Sequence, residues 1–307
     1  MELRQLRYFV RVAEVGSMGR AAVELGVVTS ALSQQISRLE SELSTRLLQR
    51  SAAGVRPTEA GVAFLQQARL ALRHADDAAA SARDARLTGH VSLGLASSTA
   101  AVLALPLLQA LRERHPGVRV HLVESLSGNL STMLNGRLLD LAVVFETESA
   151  RRWSVQPLLD EALYVIGLST LPGMPRGRTV RLSALGQLPL VLPTGTHGLR
   201  AVLNAAFAQV RLEPRVVLEV DGLGTLMDSV RAGLAATIQP GAVAARAPAE
   251  LVAVPIADRR ARRRSLLASL SDDELSPAAL AVRVTLRDVA AAIVRQGGWP
   301  GATLQEA

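Results

Sequence analysis

The stretch Gly16-Ser17-Met18-Gly19-Arg20-Ala21-Ala22-Val23-Glu24-Leu25-Gly26-Val27-Val28-Thr29-Ser30-Ala31-Leu32-Ser33-Gln34-Gln35-Ile36-Ser37-Arg38-Leu39 decides how the front of this 307-residue chain folds. Gly16 and Gly26 bracket a segment long enough for only two helical turns. Ser17 stands where a helix N-cap is wanted, and Gly26 can take the left-handed conformation that ends a helix. Ala21 and Ala22 are small enough to let a neighbouring helix approach closely. After the turn Val27-Val28-Thr29, the residues Leu32, Ile36, Leu39 and Leu43 recur on one face of a further helix. Upstream, Leu3, Leu6, Val10 and Ala13 repeat at helical spacing with Phe9 beside them. Two short helices joined by a tight glycine-bearing turn, behind a supporting first helix, make a helix-turn-helix.

The other side of the third helix is polar. Ser30, Ser33, Gln34 and Ser37 fall at i, i+3, i+4 and i+7, with Thr29 at the helix start. Short uncharged hydrogen-bonding groups suit the donor and acceptor edges of the DNA major groove. Arg38 and Arg46 lie nearer to where phosphates would run, and phosphates position a protein without being read. The alternative, a plain solvated face, stays open from the pattern alone. Downstream, Leu47 to Arg50 and Gly54 to Thr58 form a β-hairpin wing, and Pro57-Thr58 start another helix.

These residues carry a family resemblance. The run from Leu3 to Phe9, Gly16-Ser17, Ala21-Ala22, Ala31 to Ile36, Leu39-Glu40, Leu47-Leu48, Arg50 and Gly54 to Gly61 is similar to the LysR-type transcriptional regulators. The resemblance implies a winged helix-turn-helix reading double-stranded promoter DNA through Ser17, Thr29, Ser30, Ser33, Gln34, Ser37, Arg38, Arg50, Arg56 and Thr58. The wing tip, often Arg-Gly in the family, is Ala53-Gly54, so wing contacts fall to Arg50 and Arg56. From residue 59 to 88 a long helix carries Phe64, Leu65, Ala68, Leu72, Ala75 and Ala79 in one apolar stripe. Small side chains permit close helix pairing, which predicts a dimerisation seam; packing against its own domain is the alternative. The resemblance implies a homodimer, two dimers in a homotetramer, and RNA polymerase as a further partner.

Beyond residue 89, short apolar strands alternate with helices, which predicts α/β architecture with a mostly parallel sheet. The resemblance extends here, closest to the nitrogen assimilation control regulators through Gly89 to Ala96, Ala104 to Ala110, Leu138 to Phe145 and Leu275 to Ala279. It implies two lobes like those of periplasmic solute-binding proteins, lobe I spanning 89–162 and 265–307 and lobe II spanning 163–264. The expected domains are therefore 1–58, 59–88 and 89–307. In open α/β sheets ligands sit beyond the C-terminal strand ends. That places an effector among Ser97, Ser98, Thr99, Ser127, Gly128, Asn129 and Phe145 of one lobe, and Thr194, Thr196, His197, Gly222 and Gln239 of the other. Helix starts at Ser98-Thr99 and near Thr196-His197 favour a small anion, although each hydroxyl alone reads equally as a helix cap.

Composition narrows the field. Without cysteine there are no disulfides, thiol nucleophiles or zinc fingers. No Gly-x-Ser-x-Gly, phosphate loop or His-Glu-x-x-His occurs, the five histidines are scattered, and no enzyme, cofactor or metal is expected. All 34 basic residues are arginine, and the net charge of +7 is not concentrated at the front: residues 1–57 hold eight Arg against five acids. Arg259 to Arg264 reads as a solvated surface run, and Asp272-Asp273-Glu274 as an acidic loop. Scarce aromatics, 3% of the chain, argue against a large stacked ligand. No apolar run approaches the ~20 residues of a membrane span, and Met1 to Arg20 is amphipathic unlike a signal peptide, so a cytoplasmic protein is expected. The runner-up is a DNA-binding regulator that needs no effector and whose C-terminal lobes only oligomerise.

Overall fold

The computed structural model describes every residue except 52–53, 82–86, 146–152, 196–197, 273 and 306–307, and omits the side chains at 77, 80 and 81. The chain divides into two compact units, Met1–Gly89 and His90–Ala307.

In the first unit α1 (Leu3–Val15) buries Leu6, Phe9 and Val12, and Gly16 ends it at φ +68°. Ser17 Oγ accepts the Arg20 amide at the start of α2 (Met18–Glu24). The α3 helix (Thr29–Glu42) then buries Leu32, Ile36 and Leu39 against α1 and α2. Glu40, on the buried side of α3, accepts the amides of Leu47 at 2.7 Å and Leu48 at 2.9 Å. A carboxylate accepting two amides ties the wing, β1 (Leu48–Ser51) and β2 (Gly54–Pro57), to the helix beside it. Thr58 Oγ1 caps α4 (Glu59–Ser81) by accepting the Gly61 amide, and donates to the Arg46 carbonyl at 2.8 Å. Only glycine fits at 61, where a Cβ would stand 1.9 Å from the Leu47 carbonyl oxygen. The α4 helix lies on α1, with Phe64 edge-on to Phe9 at 5.2 Å between ring centroids.

The second unit opens with β3 (Gly89–Leu95), α5 (Ser97–Arg114), β4 (Val118–Glu124), α6 (Ser127–Asn135) and β5 (Leu141–Phe145). A fifteen-residue strand, β6 (Ser154–Leu168), then runs through both lobes. Lobe II continues with β7 (Leu190–Leu192), α7 (Gly198–Gln209), β8 (Val216–Glu219), α8 (Leu223–Arg231), β9 (Thr237–Pro240), α9 (Gly241–Ala244) and β10 (Leu251–Pro255). The return is β11 (Arg262–Ser269), followed by α10 (Pro277–Arg295) and β12 (Ala302–Leu304). The sheet order is β10-β6-β11-β5-β3-β4, with β9 and β12 also on β6.

The sheet is mixed and not mostly parallel. β3–β5 and β7–β8 are parallel, but β11 runs antiparallel to both β5 and β6. The physical reason is the double crossover: β6 leaves lobe I and β11 comes back beside it, so the two must oppose. Ala162 pairs with Arg262 and Leu163 with Pro240, which puts the outward crossover at 162/163. Residues 262–264 already pair within lobe I, three residues before the expected boundary.

Candidate functional site

The α3 helix presents Thr29, Ser30, Gln34, Ser37 and Arg38 to solvent, with Ser33 half-buried. Its apolar row faces inward, so the polar row projects outward by the same helical geometry. Not every residue assigned to DNA is equally available. Arg50 Nη2 donates to Ser33 Oγ at 3.0 Å, joining the wing to the helix. Arg38 pairs with Glu42 one turn on, and the Thr58 hydroxyl is committed to the helix cap and to Arg46. Ser17 is likewise the cap of α2. Arg56 is exposed on β2, and Ala53 at the wing tip lies outside the described residues.

The stripe on α4 packs in part within its own domain. Ala68 is 2% exposed and belongs to the core formed with Leu6, Phe9 and Ile36, and Phe64, Leu65 and Leu72 pack on that same core. Ala68 is enclosed by its own domain, while Phe64, Leu65 and Leu72 stay half-buried beside it. Of the expected seam, Ala75 is half-buried and Ala79 is exposed.

In the second unit, Ser97 and Ser98 from lobe I meet Pro193, Leu199, Asp221, Leu223, Leu226 and Gln239 from lobe II around one cavity. The space inside is about 20 Å³, room for one water. Ser127 and Phe145 press against Gly198, where a Cβ would lie 2.9 Å from Ser127 Oγ. Arg246 Nε, from lobe II, donates to the Ala101 carbonyl of lobe I at 3.1 Å. The lobes are therefore closed on each other. Gly128, Asn129 and Gly222 are exposed, Asn129 donating to Ser125 Oγ. Thr196 and His197 lie outside the described residues.

Two of the residues expected to hold an anion, Thr194 and Ser98, already have internal partners. The Thr194 amide and hydroxyl both donate to Asp221 Oδ1, each at 2.9 Å. Ser98 Oγ accepts from Arg263 Nη1 at 2.8 Å. Arg263 departs from the surface assignment of the run from 259 to 264, which holds for Arg259, Arg260, Arg262 and Arg264. It is fully buried, its Nη2 donates to both Glu161 oxygens at 3.0 and 3.2 Å, and its guanidinium lies 3.9 Å over the Phe145 ring. Trp299 Nε1 donates to Glu161 as well, at 3.2 Å. Burial pushes the Glu161 carboxyl up and the Arg263 guanidinium down, while their mutual attraction opposes both shifts. The signal in the sequence was strand alternation: Arg262 and Arg264 face out, so the residue between them faces in.

The acidic loop behaves as expected, Asp272 pairing with Arg283 and Glu274 with Arg137. Among the described residues no group of three His, Cys, Asp or Glu side chains could hold a metal ion, and no helix is long and apolar enough to cross a membrane.

Residues 3–62 match the family of bacterial regulatory helix-turn-helix proteins, lysR family, and residues 84–291 match the LysR substrate binding domain. The nitrogen assimilation regulatory protein nac of Klebsiella aerogenes is 38% identical over 247 residues, 80% of each chain. A full-length OxyR variant from Pseudomonas aeruginosa shares the fold with a TM-score of 0.76 at 23% identity, over 100% of this chain and 99% of that one. Full-length CbnR complexed with its target DNA aligns with a TM-score of 0.58 at 25% identity, over 94% of this chain and 100% of that one.

Proposed function

Because the chain belongs to the LysR family of DNA-binding transcriptional regulators, which are not enzymes, we propose that it acts in the cytoplasm as a homodimer or homotetramer on promoter DNA, its output set by a small molecule held between the two lobes. The α3 helix enters the major groove, Gln34 and the serines read base edges, and Arg50 and Arg56 hold the backbone. The observation that carries this is the division of α3 into a buried apolar row and an exposed row of Ser30, Gln34 and Ser37. Two copies pair over the outward side of α4, near Ala75 and Ala79, and RNA polymerase is the downstream partner.

Replacing Gln34 by Ala is expected to cost about 1–3 kcal/mol at the best duplex selected from a random pool, with little loss on random DNA. Replacing Arg56 by Ala should weaken both alike and flatten the salt dependence by roughly one counterion. Equal losses from both changes on selected and random DNA would remove Gln34 from base readout.

One observation favours a second reading, in which the lobes bind nothing and serve assembly alone. The cavity between them has room for a single water, so an effector has to part the lobes to enter.

A further inference from the structure

Ser33 stands apart from the other polar residues of α3, and its role below rests on α3 being the helix that enters the major groove. Ser30, Gln34 and Ser37 are exposed, whereas Ser33 is half-buried. At 3.6 residues per turn, positions seven apart lie on one side of a helix, and the residue seven on from Ser33 is Glu40. Both hold the wing. Glu40 Oε1 accepts the amides of Leu47 and Leu48 at its foot, and Ser33 Oγ accepts Arg50 Nη2 farther along β1. One flank of α3 therefore fastens the hairpin, and Ser33 belongs to that flank and not to the row of Ser30, Gln34 and Ser37.

The backbone that carries Arg50 is fixed as well. Arg50 pairs across the hairpin with Val55, whose amide donates to the Gly16 carbonyl at 2.9 Å. Gly54 beside it adopts φ +119°, and a Cβ there would stand 2.6 Å from the Gly16 oxygen, so no side chain fits. The hairpin is thus held to α3 on one side and to the turn before α2 on the other. What is left to place is the arginine side chain, whose long stem loses rotamer freedom whenever it is ordered. The bond to Ser33 removes part of that freedom before any ligand arrives. Its partner is an uncharged hydroxyl, so this contact leaves the positive charge unneutralised, whereas Arg38 and Arg46 face Glu42 and Glu40. A guanidinium has five N–H donors, and one given to Ser33 leaves others for a planar anionic acceptor.

With α3 in the major groove, a hairpin at its side reaches the neighbouring minor groove, and a phosphate strand runs between the two. We propose that Ser33 is a positioning residue that reads no base. It holds the Arg50 guanidinium, which spans helix and hairpin, ready for a phosphate of the strand between the grooves.

The test measures binding of the full-length protein to a duplex it has enriched from a random pool and to a shuffled duplex of equal length, across a salt series. Arg50→Ala is expected to weaken both about tenfold and to lower the salt slope by roughly one. Ser33→Ala should weaken both by one common factor, about two- to fivefold, the worth of one exposed polar contact. Ser33→Thr keeps the hydroxyl and should bind as the parent does. In an Arg50→Ala background Ser33→Ala should change nothing further, because its effect passes through the arginine. A mere folding defect would persist in that background. A loss from Ser33→Ala confined to the enriched duplex, an equal loss with and without Arg50, or no loss at all overturns the positioning role. So does an unchanged salt slope in Arg50→Ala. Gln34→Ala separates the two levels. If it costs affinity on the enriched duplex alone while Ser33→Ala behaves independently of Arg50, α3 still reads DNA and only the positioning role falls. If Gln34→Ala weakens both duplexes alike or neither, or no duplex is enriched, α3 is not the reading helix and both fall.

Discussion

Replacing Glu161 by Gln is expected to lower the stability of the second unit by about 3–5 kcal/mol, the usual cost of leaving one member of a buried ion pair without its counter-charge. Arg263 has no exposure, so its guanidinium cannot turn to water for compensation. The substituted amide also brings two N–H donors into a place where Arg263 Nη2 and Trp299 Nε1 already donate. Urea unfolding of the full-length protein should show the transition of the second unit shifting while that of the DNA-binding unit stays in place. The pair Glu161→Leu with Arg263→Met removes both charges together and should recover most of the loss, because apolar replacement of a whole buried pair is often neutral or stabilising. A loss below about 1 kcal/mol in Glu161→Gln would mean that the ion pair is not what holds these strands.

Replacing Ala68 by Glu is expected to unfold the DNA-binding unit outright. Ala68 sits between α4 and α1 in the core built on Phe9, Leu6 and Ile36. A carboxylate there is buried in an apolar core, and that penalty runs to several kcal/mol. A domain's whole stability is about 5–15 kcal/mol, so far-UV circular dichroism should show lost helix and operator binding should vanish. Ala79→Glu is the contrasting case: exposed within the protomer, it should cost no more than about 0.5 kcal/mol of fold stability. It therefore reports on assembly alone, and sedimentation should show the dimer weakened. A well-folded Ala68→Glu protein that sediments as a monomer would return Ala68 to the interface and overturn its place in the core.

The helix-turn-helix was legible because its determinants are local. Ser17 caps the helix that follows it by accepting an amide three residues on, Gly16 ends the one before it, and the period of Leu32, Ile36 and Leu39 selects the face that turns inward. The cleft was legible in outline: Ser97, Ser98 and Gln239 line it and Phe145 flanks it, as strand ends in α/β sheets require. The partners of Thr194 and Ser98 were not. Asp221 is 27 residues from Thr194, and Ser98 is 165 residues from Arg263. No periodicity relates residues so far apart.

The sequence by itself determined the order of elements, the winged head and the row of polar side chains that α3 turns to solvent, since each rests on periods and caps within a few turns of chain, while the two-lobed body came from the family resemblance. Only the tertiary structure decided which partner the apolar row of α4 faces, that β6 and β11 oppose each other, and that Arg263 lies inside with Glu161. An apolar row has the same pattern whether it covers its own domain or a second copy, and an arginine in a strand has the same spacing whether its counter-ion is water or a carboxylate 102 residues away. Those outcomes depend on which surfaces the folded chain brings together, and so on contacts that sequence distance does not encode.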